Sequence, residues 1–149
     1  MSDITVDELF APLPKAHEHY RALDELIWDG RLDVALLELC RVRIAMLHRC
    51  APQLALQRAD LGDKRGAIAQ WPTSPLFNET ERAVLRFTEQ YVIDAQGVSD
   101  ADAALVTAVL SGSEIADFTV AIGAFDAICR FTLALGPSPA PAASSAKDA

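Results

Sequence analysis

The sequence contains few glycines and has a deficit of positive charge. Seven of its 149 residues are glycine, and 13 lysines and arginines stand against 21 aspartates and glutamates. The resulting formal charge of -8 at pH 7 repels both phosphate backbones and anionic lipid headgroups. We therefore expect neither a nucleic-acid partner nor a membrane partner.

The features of a secreted or membrane-spanning chain are also missing. The first ten residues contain acids where a secretory signal has basic residues and then an apolar run. The most apolar segments, 34–47 and 115–135, are interrupted by charged side chains, so neither is typical of a membrane span. Three cysteines without a signal peptide indicate free thiols in a reducing compartment. The expected location is the cytoplasm.

Hydrophobic residues make up 51% of the chain, which favours a packed helical protein over a disordered one. A length of about 150 residues is typical of one domain with one core. We expect an N-terminal segment over residues 1–14, one domain over 15–136, and a disordered tail rich in proline, alanine and serine over 137–149.

Apolar residues recur at helical spacing along the predicted domain, and no segment alternates as a strand does, so the predicted fold class is all-α. A capping box is predicted at Asn78-x-x-Glu81 and another at Ser111-x-x-Glu114. A central helical hairpin, about 33–61, should pack against the helices 78–94 and 115–135. The predicted helices cover residues 15–28, 33–47, 52–61, 64–70, 78–94, 99–110 and 111–135, and a loop with two prolines covers 71–75.

Glu38 is the first candidate for chemistry, because it lies in a helix whose neighbours are mostly apolar. A carboxylate in such surroundings is a candidate proton acceptor. The alternative is a structural ion pair with Arg41, one helical turn away, and the pattern alone favours that alternative.

Cys50 is the second candidate, because it lies at a junction between two helices, where free backbone N–H groups can stabilise a thiolate. The alternative is a buried, inert thiol, as most free cysteines are. Cys40 and Cys129 lie inside apolar helices and are assigned to the core. His48 is assigned to the surface, since a side chain two residues away on a helix end faces Cys50 poorly. The histidines have no metal-ligand spacing to the cysteines, so no metal is expected.

Glu38, Arg41-Val-Arg43 and Cys50 together resemble the core of the alkylhydroperoxidase D/carboxymuconolactone decarboxylase-like family, in which a helix carrying Glu leads into Cys-x-x-Cys-x-x-x-His. The pattern W-x-x-S-P-L-F-x-x-x-E-R-A-x-L-x-x-x-E, starting at Trp71, is similar to the family as well. In the last helix, Arg130 matches the family's Asn-x-x-Asn-Arg motif, whereas its companions differ. The resemblance covers about residues 20–135 and implies the family's all-α fold.

In the peroxidases of the family, the second cysteine attacks peroxide, the first resolves the product as a disulfide, and Glu and His relay protons. Cys50 matches the first cysteine, whereas Gln53 occupies the position of the second and Gln57 that of the histidine. An amide can neither become a thiolate nor relay a proton near neutral pH. The resemblance therefore implies a divergent member that lacks the standard dithiol cycle.

The decarboxylase branch would need a histidine and basic groups around its substrate, and the chain has no matching histidine. Its arginines could bind an anion, but helical arginines more often form surface or structural ion pairs. The arginines concerned are Arg41, Arg43, Arg49, Arg58 and Arg130.

Three function classes remain open. The chain either keeps a small-molecule pocket near Glu38 and Cys50, with Gln53, Gln57 and Arg130 around it, or acts as a single-cysteine peroxidase with an external thiol, or is a non-catalytic structural or interaction protein. No cofactor is expected. The family resemblance and the high apolar content predict a homo-oligomer.

Overall fold

The computed structural model describes residues 5–136, and within that range every regular element is helical. This confirms the all-α prediction. The eight α-helices are α1 (Val6–Phe10), α2 (Pro14–Trp28), α3 (Val34–His48), α4 (Ala51–Ala55), α5 (Lys64–Ala67), α6 (Glu79–Ile93), α7 (Asp100–Val109) and α8 (Gly112–Leu135). Short 3-10 turns follow α5 at Ile68–Gln70 and α6 at Ala95–Gly97.

Helix α3 is the central element, as its sequence predicts. The Asp33 carboxylate accepts hydrogen bonds from the backbone N–H groups of Ala35 and Leu36, which fixes the start of the helix. Apolar residues on nearly every side of α3 are buried, because α6 packs on one side and α8 on another. Two clusters of buried side chains meet at this helix, one toward α8 and one toward the segment 61–77.

Reciprocal capping boxes set the starts of four helices. The boxes at Asn78/Glu81 and Ser111/Glu114 confirm the sequence predictions, and each satisfies backbone N–H groups that the first helical turn leaves without partners. Ser99 caps α7 in the same way, with a carboxylate from Asp102. The helix predicted over 99–110 is therefore present as Asp100–Val109.

The predicted third helix is shorter than expected. The sequence predicts a helix from Pro52 to about Leu61, but α4 ends at Ala55 and Leu56 adopts an extended backbone. The carbonyl groups of Leu54 and Leu56 accept hydrogen bonds from arginine side chains instead of from the next helical turn. The prediction is wrong because these long-range contacts outweigh local helix propensity. The second arm of the central hairpin is consequently a single short helix.

An additional helix, α1, lies within the segment 1–14, where no helix was predicted. Thr5 and Glu8 form its capping box. Phe10, at its end, stacks against Tyr20 of α2 and Phe131 of α8, with ring centroids 5.1 and 4.9 Å apart. This aromatic stacking places α1 against one end of α2 and α8.

Helix α8 is, among the described residues, the one helix long and apolar enough to cross a membrane by length and composition. One such helix is weak evidence for a membrane span, because the core helix of a globular protein passes the same test. Phe118, Ile122 and Phe125 of α8 are buried against the rest of the chain, as in a core helix. The predicted tail, 137–149, lies outside the described residues.

Candidate functional site

Glu38 and Arg41 form an ion pair inside the protein. Their side chains are 0% and 4% exposed, and the guanidinium binds the carboxylate in a bidentate manner. Arg41 Nε donates to Glu38 Oε2 over 2.7 Å, and Nη2 donates to Oε1 over 2.8 Å. The spacing of three residues on α3 brings the two groups together on one face. The structural alternative for Glu38 is thus present in the folded chain.

Two further arginines converge on the same carboxylate. The backbone N–H of Arg58 donates to Glu38 Oε1 over 3.2 Å, and Arg65 Nη1 donates to the same oxygen over 3.2 Å. Both carboxylate oxygens therefore accept hydrogen bonds from the protein itself. A carboxylate held in this way is oriented and neutralised by its neighbours, which suits a structural role.

The same arginines hold the chain that follows α4. Arg41 donates to the carbonyl groups of Gln53 and Leu56 over 2.6 and 2.9 Å. Arg65 donates to the carbonyls of Leu54 and Leu56 over 2.8 and 3.0 Å. Glu38 thus fixes two guanidinium groups, and these fix the backbone that leaves the short helix. We call these contacts the Glu38 network.

Cys50 occupies the N-cap position of α4 and is 0% exposed. The thiol of Cys129 on α8 is its neighbour, and burial together with Cys50 raises the pKa of Cys129. Cys40 and Cys129 are both buried, which confirms their assignment to the core. Burial also raises the pKa of Cys40 to about 12. No disulfide joins the three cysteines.

The two glutamines that replace the family's second cysteine and histidine differ in their surroundings. Gln53 lies on α4, is buried, and lines a cavity of about 220 Å³. Gln57 follows the end of the helix and is exposed. Of the two motif positions, residue 53 therefore lies at the cavity and residue 57 lies on the surface.

The cavity lies where α1 and α2 cover the Glu38 network. Three aromatic rings and three aliphatic side chains line part of it, and the charged side chains of Asp7, Arg21, Asp24, Arg41 and Arg58 line much of the rest. The residues that define it here are Tyr20, Trp28, Arg41, Gln53, Arg58 and Phe125. Burial raises the pKa of the Tyr20 phenol to about 12, so this side chain remains a neutral hydroxyl.

Arg58 lies at the edge of the cavity. Its guanidinium carbon is 4.5 Å from the centre of the Trp28 ring, a cation–π arrangement. The same guanidinium pairs with both oxygens of Asp24, over 3.2 and 2.9 Å. Sequence reasoning considered Arg58 as a source of positive charge but missed Tyr20, Trp28 and Asp24. These α2 residues belong to no sequence motif. Only the packing of α2 in the folded chain brings them close to Arg58.

Arg130, the other predicted pocket residue, does not line this cavity. It extends from α8 into solvent with 59% of its side chain exposed, and its Nε donates to Asp126 over 2.8 Å. The other oxygen of Asp126 lies 2.6 Å from His48 Nε2. His48 was predicted to lie on the surface, but this contact leaves its side chain 15% exposed. His48, Asp126 and Arg130 form a polar chain on the opposite side of α8 from the aromatic cavity wall.

Comparison with known proteins gives a small set of likenesses. No protein-family model matches the chain. The uncharacterised protein YnjA of Escherichia coli K12 is 28% identical over 110 residues, which make up 70% of this chain and 60% of YnjA. The chain therefore matches little more than half the length of that curated relative.

Two crystal structures resemble the whole described fold. One is a protein of unknown function from Agrobacterium tumefaciens, proposed to be the antioxidant defence protein AhpD; its TM-score is 0.75 at 22% identity, over 95% of this chain and 100% of that one. The other is an uncharacterised peroxidase-related protein from Silicibacter sp. TM1040, with a TM-score of 0.72 at 15% identity, over 90% of this chain and 75% of that one. The chain has the helical fold of AhpD-like proteins.

Proposed function

We propose that this protein is a divergent, cytoplasmic relative of the AhpD-like proteins that has no dithiol peroxidase cycle and binds a small molecule in the cavity beside Arg41 and Gln53. The observation that carries the proposal is the cavity itself, a polar volume of about 220 Å³ that is partly lined by aromatic rings and includes Gln53, at the position of the family's second cysteine. Small-molecule sites are concave and use placed polar groups to orient the ligand.

The residues at the positions of the family's catalytic groups support the loss of peroxidase chemistry. Reduction of a hydroperoxide to an alcohol and water needs a thiolate as nucleophile and a second thiol to complete the disulfide. Gln53 supplies neither. The oxygens of Glu38 are already bound to arginines, as a structural carboxylate requires.

Restoring the missing groups tests this proposal. The unmodified protein should reduce an organic hydroperoxide poorly with any dithiol donor, and Cys50→Ser should change little. Gln53→Cys combined with Gln57→His supplies a thiolate and a titratable relay, so some turnover should appear, provided that Glu38 is intact. Gln53→Ser with Gln57→His is the matched control without a second thiol. Robust turnover by the unmodified protein, abolished by Cys50→Ser, would contradict the proposal.

The single-cysteine alternative makes a different prediction about the thiols. A functional Cys50 should react with an alkylating agent much faster than Cys40 and Cys129. Because all three side chains are buried, we expect all three to react slowly in the folded protein and quickly in urea. Mass spectrometry of a timed alkylation distinguishes the two cases, and selective fast labelling of Cys50 would favour the alternative.

We also propose that the protein assembles with copies of itself. Apolar side chains on several helices stay exposed in the single chain, and such surfaces are often interfaces. Those with half or more of their surface exposed are Leu26, Ile93, Leu133 and Leu135. Light scattering at micromolar concentration tests the assembly, and a monomer mass of 16.1 kDa would contradict it.

A further inference from the structure

Helix α8 is long and apolar, yet the described chain leaves much of it uncovered. In its most apolar stretch of 18 residues, 39% of the residues are buried. Val120, near the middle of this helix, is 49% exposed. Apolar surface left open in this way is typical of a site where another protein binds.

Helix α2 lies beside α8 and is covered even less. Trp28, at its end, contacts Phe125 of α8, with ring centroids 5.8 Å apart. Ile27 is the one buried residue of this 15-residue helix. Its outward side carries Leu23 and Leu26, which are 37% and 73% exposed. Helices in folded proteins owe most of their stability to the packing of an apolar face, so α2 would gain stability from a further contact.

A groove of about 830 Å³ lies between the exposed sides of the two helices. Leu23, Leu26 and Val120 are its large apolar lining residues, and we call this surface the α2/α8 groove. Leu26, the most exposed of the three, therefore lies next to a hollow that can receive such a side chain. A surface that carries both an exposed apolar side chain and a hollow can pack against a second copy of itself.

The charged residues of the groove support the same partner. Within residues 5–136, the carboxylates of Glu25 and Asp29 form no ion pair. Both lie at the C-terminal end of α2, where the helix dipole disfavours negative charge. Arg31 binds Asp117 through Nη1 over 3.3 and 3.4 Å, and its side chain is 66% exposed. A twofold rotation can bring the Arg31 of each copy to the unpaired acids of the other.

The size of the face agrees with a protein partner. Helix α2 is about 22 Å long, and two adjacent helices are about 20 Å wide, which gives a projected area of about 440 Å². The accessible area of such a face is larger than its projection and approaches the roughly 600 Å² that each partner buries in small stable interfaces. An anionic membrane fits less well, because three carboxylates and one arginine line the groove.

We propose that the α2/α8 groove is the surface through which two copies of this chain pair about a twofold axis, with Leu26 of each copy in the groove of the other and Arg31 opposite the acids at the end of α2. The inference rests on the proposed self-assembly and specifies its interface.

The first test is sedimentation equilibrium of the full chain with a charge placed in the interface. Leu26→Glu should weaken the dimer at least about a hundredfold, because each of the two copies loses a buried leucine. Ile93→Glu is the matched control, since Ile93 is 70% exposed and lies outside the groove, and it should leave the dimer unchanged. Both positions are exposed in the single chain, so circular dichroism should show an unchanged helical fold in each variant.

The second test uses two charge reversals that compensate for each other only across a twofold interface. Arg31→Glu brings two negative charges together, and Asp29→Arg brings two positive charges together, so each variant alone should dimerise about tenfold more weakly. In an equimolar mixture, each altered residue faces an opposite charge in the mixed dimer. Dimerisation should therefore recover in the mixture.

The outcomes separate the interface from the assembly. If Ile93→Glu dissociates the dimer and Leu26→Glu does not, the proposed interface is wrong and the proposed assembly stands. If Leu26→Glu dissociates the dimer but the mixture of charge variants does not recover, the twofold pairing is wrong. An unmodified chain that is monomeric at micromolar concentration would overturn both the interface and the assembly.

Discussion

Replacing Glu38 by glutamine would remove the charge at the centre of the Glu38 network while keeping the size of the side chain. Arg41, which is 4% exposed, would then carry a buried charge without its counter-ion. Arg65 would lose the same carboxylate as a charged partner. The main effect of Glu38→Gln should therefore be to destabilise the segment that follows α4.

The expected loss of stability is large. Breaking a buried ion pair by removing one partner costs about 3 to 5 kcal/mol, because the remaining charge stays desolvated. A domain of this size shifts its melting temperature by about 2 to 4 °C per kcal/mol, so Glu38→Gln should lower it by about 6 to 20 °C. Asp117→Asn is the matched control. It breaks the ion pair with Arg31, whose side chain is 66% exposed, and should cost less than about 1 kcal/mol.

Urea unfolding of Glu38→Gln, Arg41→Gln and the double variant measures the effect and the coupling between the two residues. Because the side chains touch, the double variant should lose less stability than the sum of the single losses, by about 0.5 to 3 kcal/mol. A loss for Glu38→Gln no larger than that for Asp117→Asn would refute the reasoning. The Glu38–Arg41 pair would then contribute little to the stability of the fold.

Two further predictions concern a buried thiol and a helix start. Because burial raises the pKa of Cys40 to about 12 from an ordinary 9.0, its contribution to stability is fully present below about pH 9 and is lost as the pH rises toward 12. Urea midpoints between pH 7 and 10.5 should therefore fall less steeply for Cys40→Ala than for the unmodified chain, and identical slopes would contradict this. Asn78→Ala removes the side-chain cap of α6 and should lower the free energy of unfolding by about 1 kcal/mol. Asn78→Asp can still cap the helix and should lower it by only a few tenths of a kcal/mol. Equal losses in the two variants would show that the cap is not the cause.

Local patterns were sufficient to predict most of the helices. The starts of α3, α6 and α8 depend on Asp33, Asn78 and Ser111, each of which caps the residues that immediately follow it. Capping and helical periodicity act within one or two turns, so a sequence displays them directly. The same locality explains why the Glu38–Arg41 pair, one turn apart on α3, could be foreseen as the alternative to a proton acceptor.

Long-range contacts determine what the sequence could not predict. Helix α4 ends early because Arg65 and Arg41 bind carbonyl groups between 9 and 15 residues away along the chain. The cavity depends on α2, whose Tyr20 and Trp28 have no motif and lie at least 30 residues from Arg58 in the sequence. Their proximity follows from how α2 packs on the chain, which periodicity alone does not specify.

The position of the Glu38 network under the cavity determines which residues can test function. Arg41 contributes both to the network, through Glu38 and the backbone carbonyls, and to the cavity lining. A variant at Glu38 or Arg41 that loses ligand binding would therefore be ambiguous, because the floor of the cavity would be disturbed along with the charge. Tyr20 has no such double role, since its hydroxyl is not used to hold another element among the described residues. Loss of binding in Tyr20→Phe with an unchanged melting temperature would thus show that a contact to the ligand had been removed. The same loss in Glu38→Gln could instead be explained by a disturbed fold.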